Sequence, residues 1–214
     1  MLTELRRLTL LTLTTVVAAG LLLWSPTAAA QTQVPGPAVA TPPNFAGLSA
    51  EANQLAARLE EDLVPLRQRA QIVDQATSHG LPASVGLAVW EEARRVDLDP
   101  WLVARVIEVE SGWQPGVVHL NADGTRDRGL MQINDSTWPW LAQRLGLSDP
   151  LDPAQNIRAG TWYLAMLVQR YGTEAGVTAY NRGEQGLRTW VVSRGTSRTA
   201  YSRKVMEVTG NAAY

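Results

Sequence analysis

Cysteine is absent from the 214 residues, which excludes a disulfide framework, a thiol nucleophile, a cysteine-ligated zinc and a lipid anchor attached through cysteine. Histidine is scarce as well. His79 and His119 are the two present, too few for a histidine metal cage, and poor material for a Ser-His-Asp triad. The residues therefore imply no metal ion and no organic cofactor. An excess of one charge is also lacking: 19 Lys plus Arg stand against 20 Asp plus Glu, a formal charge of −1. Nucleic acid or an anionic surface as the main partner would require a basic patch, so both are disfavoured. Internal repeats are not visible, and sustained period-two alternation is missing outside Val117–Leu120, which precedes the turn Asn121-Ala122-Asp123-Gly124. What remains is ordinary globular material, 45% hydrophobic and 18% charged, long enough for one or two domains with a sizeable core.

Residues 1–30 read as an address. Arg6 and Arg7 precede an uncharged run from Leu8 to Leu23, and Ala28-Ala29-Ala30 offers small residues before Gln31, the three-part pattern of a cleaved secretory signal peptide. The run is near the lower length limit of a spanning helix, which leaves an uncleaved anchor as the alternative. Residues 31–47 carry four prolines and few charges and form an expected extended linker. Residues 48–79 follow as an amphipathic helical segment: Ser49 is a suitable cap, and Leu48, Ala52, Leu55, Leu59, Leu66, Val73 and Ala76 recur at helical steps. Pro65 should kink or split it. Such a segment either packs on its own domain or serves as an arm for a partner in the envelope machinery. The remaining domain is expected over residues 80–214.

There the periodicity predicts helices over Pro82–Val96, Pro100–Ser111, a stretch from Asp135 or Ser136 to Gly146, Asp152-Pro153 to Tyr171, Glu174–Asn181, Gln185–Val192 and Ser197–Val208. Asp99-Pro100 and Asp152-Pro153 are strong starts, an aspartate cap followed by proline at the first helical position. The fold class is mainly α with at most a small β-hairpin.

Pro100–Ser111 is the helix with chemistry on it. Leu102, Val103, Val106 and Ile107 form its apolar stripe, and continuing that stripe by three or four residues reaches Glu110. A carboxylate thus falls on the buried face at the last turn, beside the exit through Gly112, whereas Glu108 falls off the stripe and should be solvated. Desolvation disfavours the charged form, so Glu110 should stay protonated near neutrality. A general acid for glycoside cleavage requires that property. A capping or salt-bridged glutamate would occupy the same place equally well.

Three phrases accompany this helix: Glu110-Ser111-Gly112, Gly129-Leu130-Met131-Gln132 and Ala179-Tyr180-Asn181. With Asp152-Pro153, Asn156-Ile157 and Tyr163-Leu164 on one long helix and Tyr201 in Arg198-Thr199-Ala200-Tyr201, the chain resembles the lytic transglycosylases of goose-type-lysozyme-like fold from about Leu81 to Met206. The resemblance implies a lysozyme-like helical domain that cuts peptidoglycan glycan strands after N-acetylmuramic acid. Glu110 would be the sole obligatory acid and base, and the product a 1,6-anhydromuramoyl end. It further implies that Ser111 orients Glu110 or the sugar's N-acetyl group. Met131 and Gln132 would line the cleft, the Tyr180 hydroxyl would hold the acid with Asn181 beside it, and Tyr201 would close the wall.

One stretch departs from that pattern. Asn121-Ala122-Asp123-Gly124-Thr125-Arg126-Asp127-Arg128-Gly129 resembles the hairpin of animal-type lysozymes, and Asp127 follows Glu110 by seventeen residues, the spacing of the second carboxylate there. Asp127 is either that second carboxylate, which would allow hydrolysis instead of ring closure, or a turn residue paired with Arg126 or Arg128. A third reading is a glycan-binding assembly module without turnover. Trp113 could stack on a sugar, Trp90, Trp101 and Trp162 belong to helix stripes, and Arg182 or Arg188 could meet carboxylates of the substrate. Such an enzyme works outside the cytoplasmic membrane, in a periplasm or cell wall.

Overall fold

Both Asp-Pro pairs open helices as expected. Asp99 accepts a hydrogen bond from the Trp101 amide at 3.0 Å and Asp152 from the Gln155 amide at 2.9 Å, while Pro100 and Pro153 occupy positions where the missing N–H has no intrahelical partner to lose. A computed structural model describes residues 45–207; the expected leader at 1–30 lies outside the described residues, as does nearly all of the expected linker at 31–47. Among the described residues, in order, are α1 (Phe45–Ser78), α2 (Ala83–Arg95), α3 (Pro100–Ser111), β1 (Val118–Leu120), β2 (Arg126–Arg128), β3 (Ile133–Asn134), α4 (Trp138–Leu145), α5 (Pro153–Tyr171), α6 (Thr173–Arg194) and α7 (Ala200–Glu207). The molecule is mainly α, as the periodicity predicts.

The structure departs from expectation at several places: α1 begins at Phe45, ahead of the expected cap Ser49, α7 begins at Ala200 and not at Ser197, and three further departures have a local reason. Helix α4 starts at Trp138 because residues 135–137 are in a turn. Asn134 Oδ1 accepts from the Ser136 amide at 2.8 Å, and Asp135 pairs with Arg128 at 2.6 Å. The two helices expected after Gly172 are one element, α6, interrupted at Gly183 (φ 70°, ψ 162°). The hairpin gains a third strand: the sheet order is β1-β2-β3, antiparallel, with His119 opposite Asp127 and Asp127 opposite Asn134.

Helix α5 lies at the centre, packed against α2, α4 and α6, while α3 is held between α2 and α7. Val89, Val103, Val106, Ile107, Leu130, Ile157 and Leu164 are fully buried in this core. The helix from residue 45 runs through Pro65 without being split, since a long helix on both sides spans one missing hydrogen bond. Its two halves differ. Ile72 and Ala76 are fully buried, whereas Leu55, Leu59 and Leu66 are 60%, 52% and 58% exposed.

The buried half braces α3 at both ends. Gln68 Nε2 donates to Asp99 Oδ1 at 2.8 Å, on the N-cap, and Gln75 Nε2 donates to Glu108 Oε2 at 3.3 Å, in the last turn. His79 Nδ1 donates to the Gln75 carbonyl at 2.8 Å, and its ring stacks on Trp113 at 6.1 Å between centroids. Glu108, expected to be solvated, is thus tied to α1. The approach of α1 to α2 depends on Gly86, where a Cβ would sit 2.6 Å from the Val73 Cα and 3.0 Å from the Ile72 carbonyl. Backbone cannot yield as a side chain does, so Gly86→Ala should cost about 1–3 kcal/mol, read as a fall in thermal midpoint by calorimetry.

Candidate functional site

Glu110 sits in the last turn of α3, which ends at Gly112 in the left-handed conformation (φ 57°, ψ 38°). The backbone leaves the helix there without burying the carboxyl completely: Glu110 is half-buried and lines a cleft of about 570 Å³ with Asp127, Gln132, Tyr180 and Asn181. Its pKa is raised to about 7, with desolvation the main cause and the nearby Asp127 charge acting in the same direction. A hydrogen bond from the Tyr201 hydroxyl to Glu110 Oε1, 2.5 Å long, opposes both. Burial also pushes Tyr201 and Tyr180 well above the ordinary tyrosine range, so both hydroxyls keep their protons and act as donors. The acid is therefore half protonated near neutrality and aimed by one phenol.

That phenol is not the expected one. Tyr180 was expected to hold the acid, but its hydroxyl donates to the Met131 carbonyl at 2.8 Å. Tyr201, assigned to the wall, makes the bond to Glu110 from α7, 91 residues further along the chain. Met131 itself is fully buried, with the Thr161 hydroxyl 3.7 Å from its sulfur. It supports the cleft floor from beneath and offers no surface to a sugar. Ser111 is also buried, and its hydroxyl donates to the Ile107 carbonyl of its own helix at 3.1 Å, an i−4 bond that leaves Glu110 to Tyr201. Gln132 reaches the cleft with φ 47° and its Nε2 bound to the Val117 and Gly129 carbonyls at 3.1 and 2.8 Å. Asn181 is exposed in the cleft. Trp113 is 1% exposed beneath His79, which removes it as a sugar platform.

Asp127 pairs with neither neighbouring arginine. It accepts from Asn121 Nδ2 at 2.9 Å and from Asn134 Nδ2 at 2.7 Å, while Arg128 is taken by Asp135. The hairpin register creates this clamp: Asn134 lies directly opposite Asp127 on β3, and Asn121 follows β1. A carboxylate held by two side-chain amides resists movement. Neither Asn121 nor Asn134 was picked out from the sequence. An asparagine at each flank of a hairpin that carries an aspartate is the signal that would have found them.

Asn156 is the other residue whose importance appears only in three dimensions. Fully buried on α5, it accepts from the Met131 amide at 2.7 Å and donates to the Arg128 and Pro150 carbonyls, both at 2.8 Å. One side chain thereby joins the end of β2, the turn bearing Met131 and Gln132, and the entry to α5.

The Tyr201 bond makes a specific prediction. It favours the carboxylate, so Tyr201→Phe should move the Glu110 pKa upward. Proton donation is lost as pH rises through that pKa, and the alkaline limb of kcat/KM should therefore shift to higher pH, with a lower maximum rate. A purely structural defect would lower the whole profile without moving the limb.

A half-buried acid poised near neutrality in an open cleft, with a fixed carboxylate beside it, defines an enzyme that breaks glycosidic bonds by proton donation. Comparison agrees with that class. The family model described as the transglycosylase SLT domain matches residues 88–202, and the chain belongs to that family. Invasion protein IagB of Salmonella typhimurium is 29% identical over 123 residues, 55% of this chain and 72% of that protein. A transglycosylase of enterobacteria phage PRD1 is 33% identical over 129 residues, 58% of this chain and 44% of the other. The membrane-bound lytic murein transglycosylase F of Histophilus somni is 32% identical over 127 residues, but these span 24% of its length. Among solved structures, an inactive variant of lytic transglycosylase Slt from Pseudomonas aeruginosa aligns with a TM-score of 0.47 and 19% identity, over 57% of this chain and 22% of that one. Among the described residues, no helix is long and apolar enough to cross a membrane.

Proposed function

We propose that this protein is a peptidoglycan lytic transglycosylase that cleaves the MurNAc–GlcNAc β-1,4 bond with Glu110 as both acid and base. The observation that carries the reading is Glu110 itself, a carboxyl raised to about 7 by burial inside a cleft and aligned by Tyr201. Protonated Glu110 gives its proton to the glycosidic oxygen, and the C1–O bond breaks as positive charge grows on C1 of the muramoyl ring. The resulting Glu110 carboxylate removes the proton from that sugar's 6-hydroxyl, whose oxygen bonds to C1. The ring closes as 1,6-anhydromuramic acid, GlcNAc leaves with a free 4-hydroxyl, and no water is consumed. Asp127, fixed in place by Asn121 and Asn134, faces this charge development. Gln132, Asn181 and Tyr180 line the path of the strand. A body that merely held glycan would have no use for an acid half protonated at neutral pH.

The exported location follows the same reading: substrate outside the cytoplasmic membrane, a leader at residues 1–30 to be removed, and no cysteine to carry lipid. A partner in the envelope machinery at residues 48–79 would meet the part of that segment before Gln68, where Leu55, Leu59 and Leu66 stand exposed. Digesting purified sacculi and weighing the products tests the chemistry. Anhydro ends, 18 Da lighter than reducing ends by the mass of one water, are expected; reducing ends alone would assign the reaction to water and Asp127.

A further inference from the structure

Arg182 is the one cation among the described residues that line the cleft, whose other charged members are Glu110, Asp123 and Asp127. Its position is built. The helix breaks immediately after it, at Gly183, and Gly186 leaves the room its stem needs, since a Cβ there would lie 2.9 Å from the Arg182 Cβ. The guanidinium lies over the Trp190 ring at 4.8 Å, and Arg194 covers the same ring at 5.3 Å. Trp190 is itself fixed by donating from Nε1 to the Arg198 carbonyl at 3.2 Å.

The nearby carboxylates are already engaged. Glu184 accepts from Arg170 at 2.9 Å and from Tyr171, and Glu174 accepts from Arg198 at 2.9 Å. Among the described residues neither Arg182 nor Arg194 has an ion-pair partner, and both are exposed. A guanidinium stacked on an indole keeps its planar edge available for two parallel hydrogen bonds, the geometry that suits a carboxylate.

We propose that Arg182, presented by Trp190 and supported by the Arg194 charge, binds a free carboxylate of the peptide stem on the muramic acid, so that the enzyme favours stem-bearing over bare glycan. This rests on the peptidoglycan reading above and deepens it. The cleft has one cationic lip and an acidic interior. A strand whose sugars are neutral and whose stems are anionic meets the lip with its stem and the interior with its sugar ring. The lactyl carboxyl is consumed in the amide bond to the stem, leaving the stem's own carboxylates as the anions within the substrate.

The test compares intact sacculi with strands stripped of their stems by an amidase and then amidated at the lactyl carboxyls that the cut uncovers, using the full chain and following anhydro-ended products. The wild type should prefer stem-bearing strands. Arg182→Gln should reduce that preference about tenfold, mainly through KM, and Arg182→Lys should restore part of it. The wild-type preference should also shrink as salt is raised. An unchanged ratio between the two substrates, whether both rates fall together or neither falls, would overturn the proposal while leaving the cleavage chemistry standing. A wild type that cleaves neither strand would overturn both.

Discussion

Glu110→Gln is expected to lower glycan cleavage on the order of 10³-fold or more, measured as release of soluble fragments from sacculi. The amide keeps the volume and can still accept from Tyr201, but has no proton to give. The same substitution should change stability in a pH-dependent way whose sign follows from the raised pKa. An acid with pKa about 7 in the folded chain and 4.5 in the unfolded one holds its proton more tightly when folded. That advantage is complete below pH 4.5 and is lost as pH rises through about 7. Glutamine does not titrate. Relative to Glu110→Gln, the wild type should therefore lose about 3 kcal/mol across that window, read from urea unfolding at a series of pH values. A gap constant with pH would mean that Glu110 is not desolvated as described.

The largest loss of stability is expected at Asn156, away from the acid. Asn156→Ala removes one acceptor and two donors at once and strands the Met131 amide and the Arg128 and Pro150 carbonyls. Each unpaired buried group costs roughly 1–3 kcal/mol, so the three together should cost at least about 3 kcal/mol, a fall of about 10 °C in thermal midpoint. Activity measured well below that temperature should also drop, because the turn carrying Gln132 and the Tyr180 acceptor loses its anchor. An unchanged melting curve would show that ordered water replaces the side chain at no cost.

Much of this was legible in the chain, and the reason is local. The Asp-Pro starts, the glycine ends at Gly112 and Gly146, and the helical stripes are written within a turn or two of the residues they govern, so those elements fall where the periodicity puts them. Glu110 was legible for the same reason: its burial follows from continuing the stripe of one helix. What was not legible depends on residues distant in sequence. Whether Tyr180 or Tyr201 reaches the acid is decided by how α7 packs on α3 and α6 on α5, and the two tyrosines exchange their expected roles. Met131 and Ser111 were expected at the cleft on the resemblance alone, yet both side chains are buried, next to neighbours that do reach it. Trp113 was undone by His79, which follows the end of α1 and lies on its ring. The Asp127 clamp required the strand register, which a three-residue hairpin arm specifies too weakly to be read in advance.

The helix from Phe45 to Ser78 lies before residue 88, where the family similarity begins, yet it fastens both the cap and the final turn of α3. The segment that the family model matches therefore leaves out a helix that holds α3 at both ends. A clone cropped to the region of recognised kinship would uncover the indole of Trp113 and release Glu108 two residues from the proton donor, so a dead fragment made that way would say nothing about the chemistry of the whole.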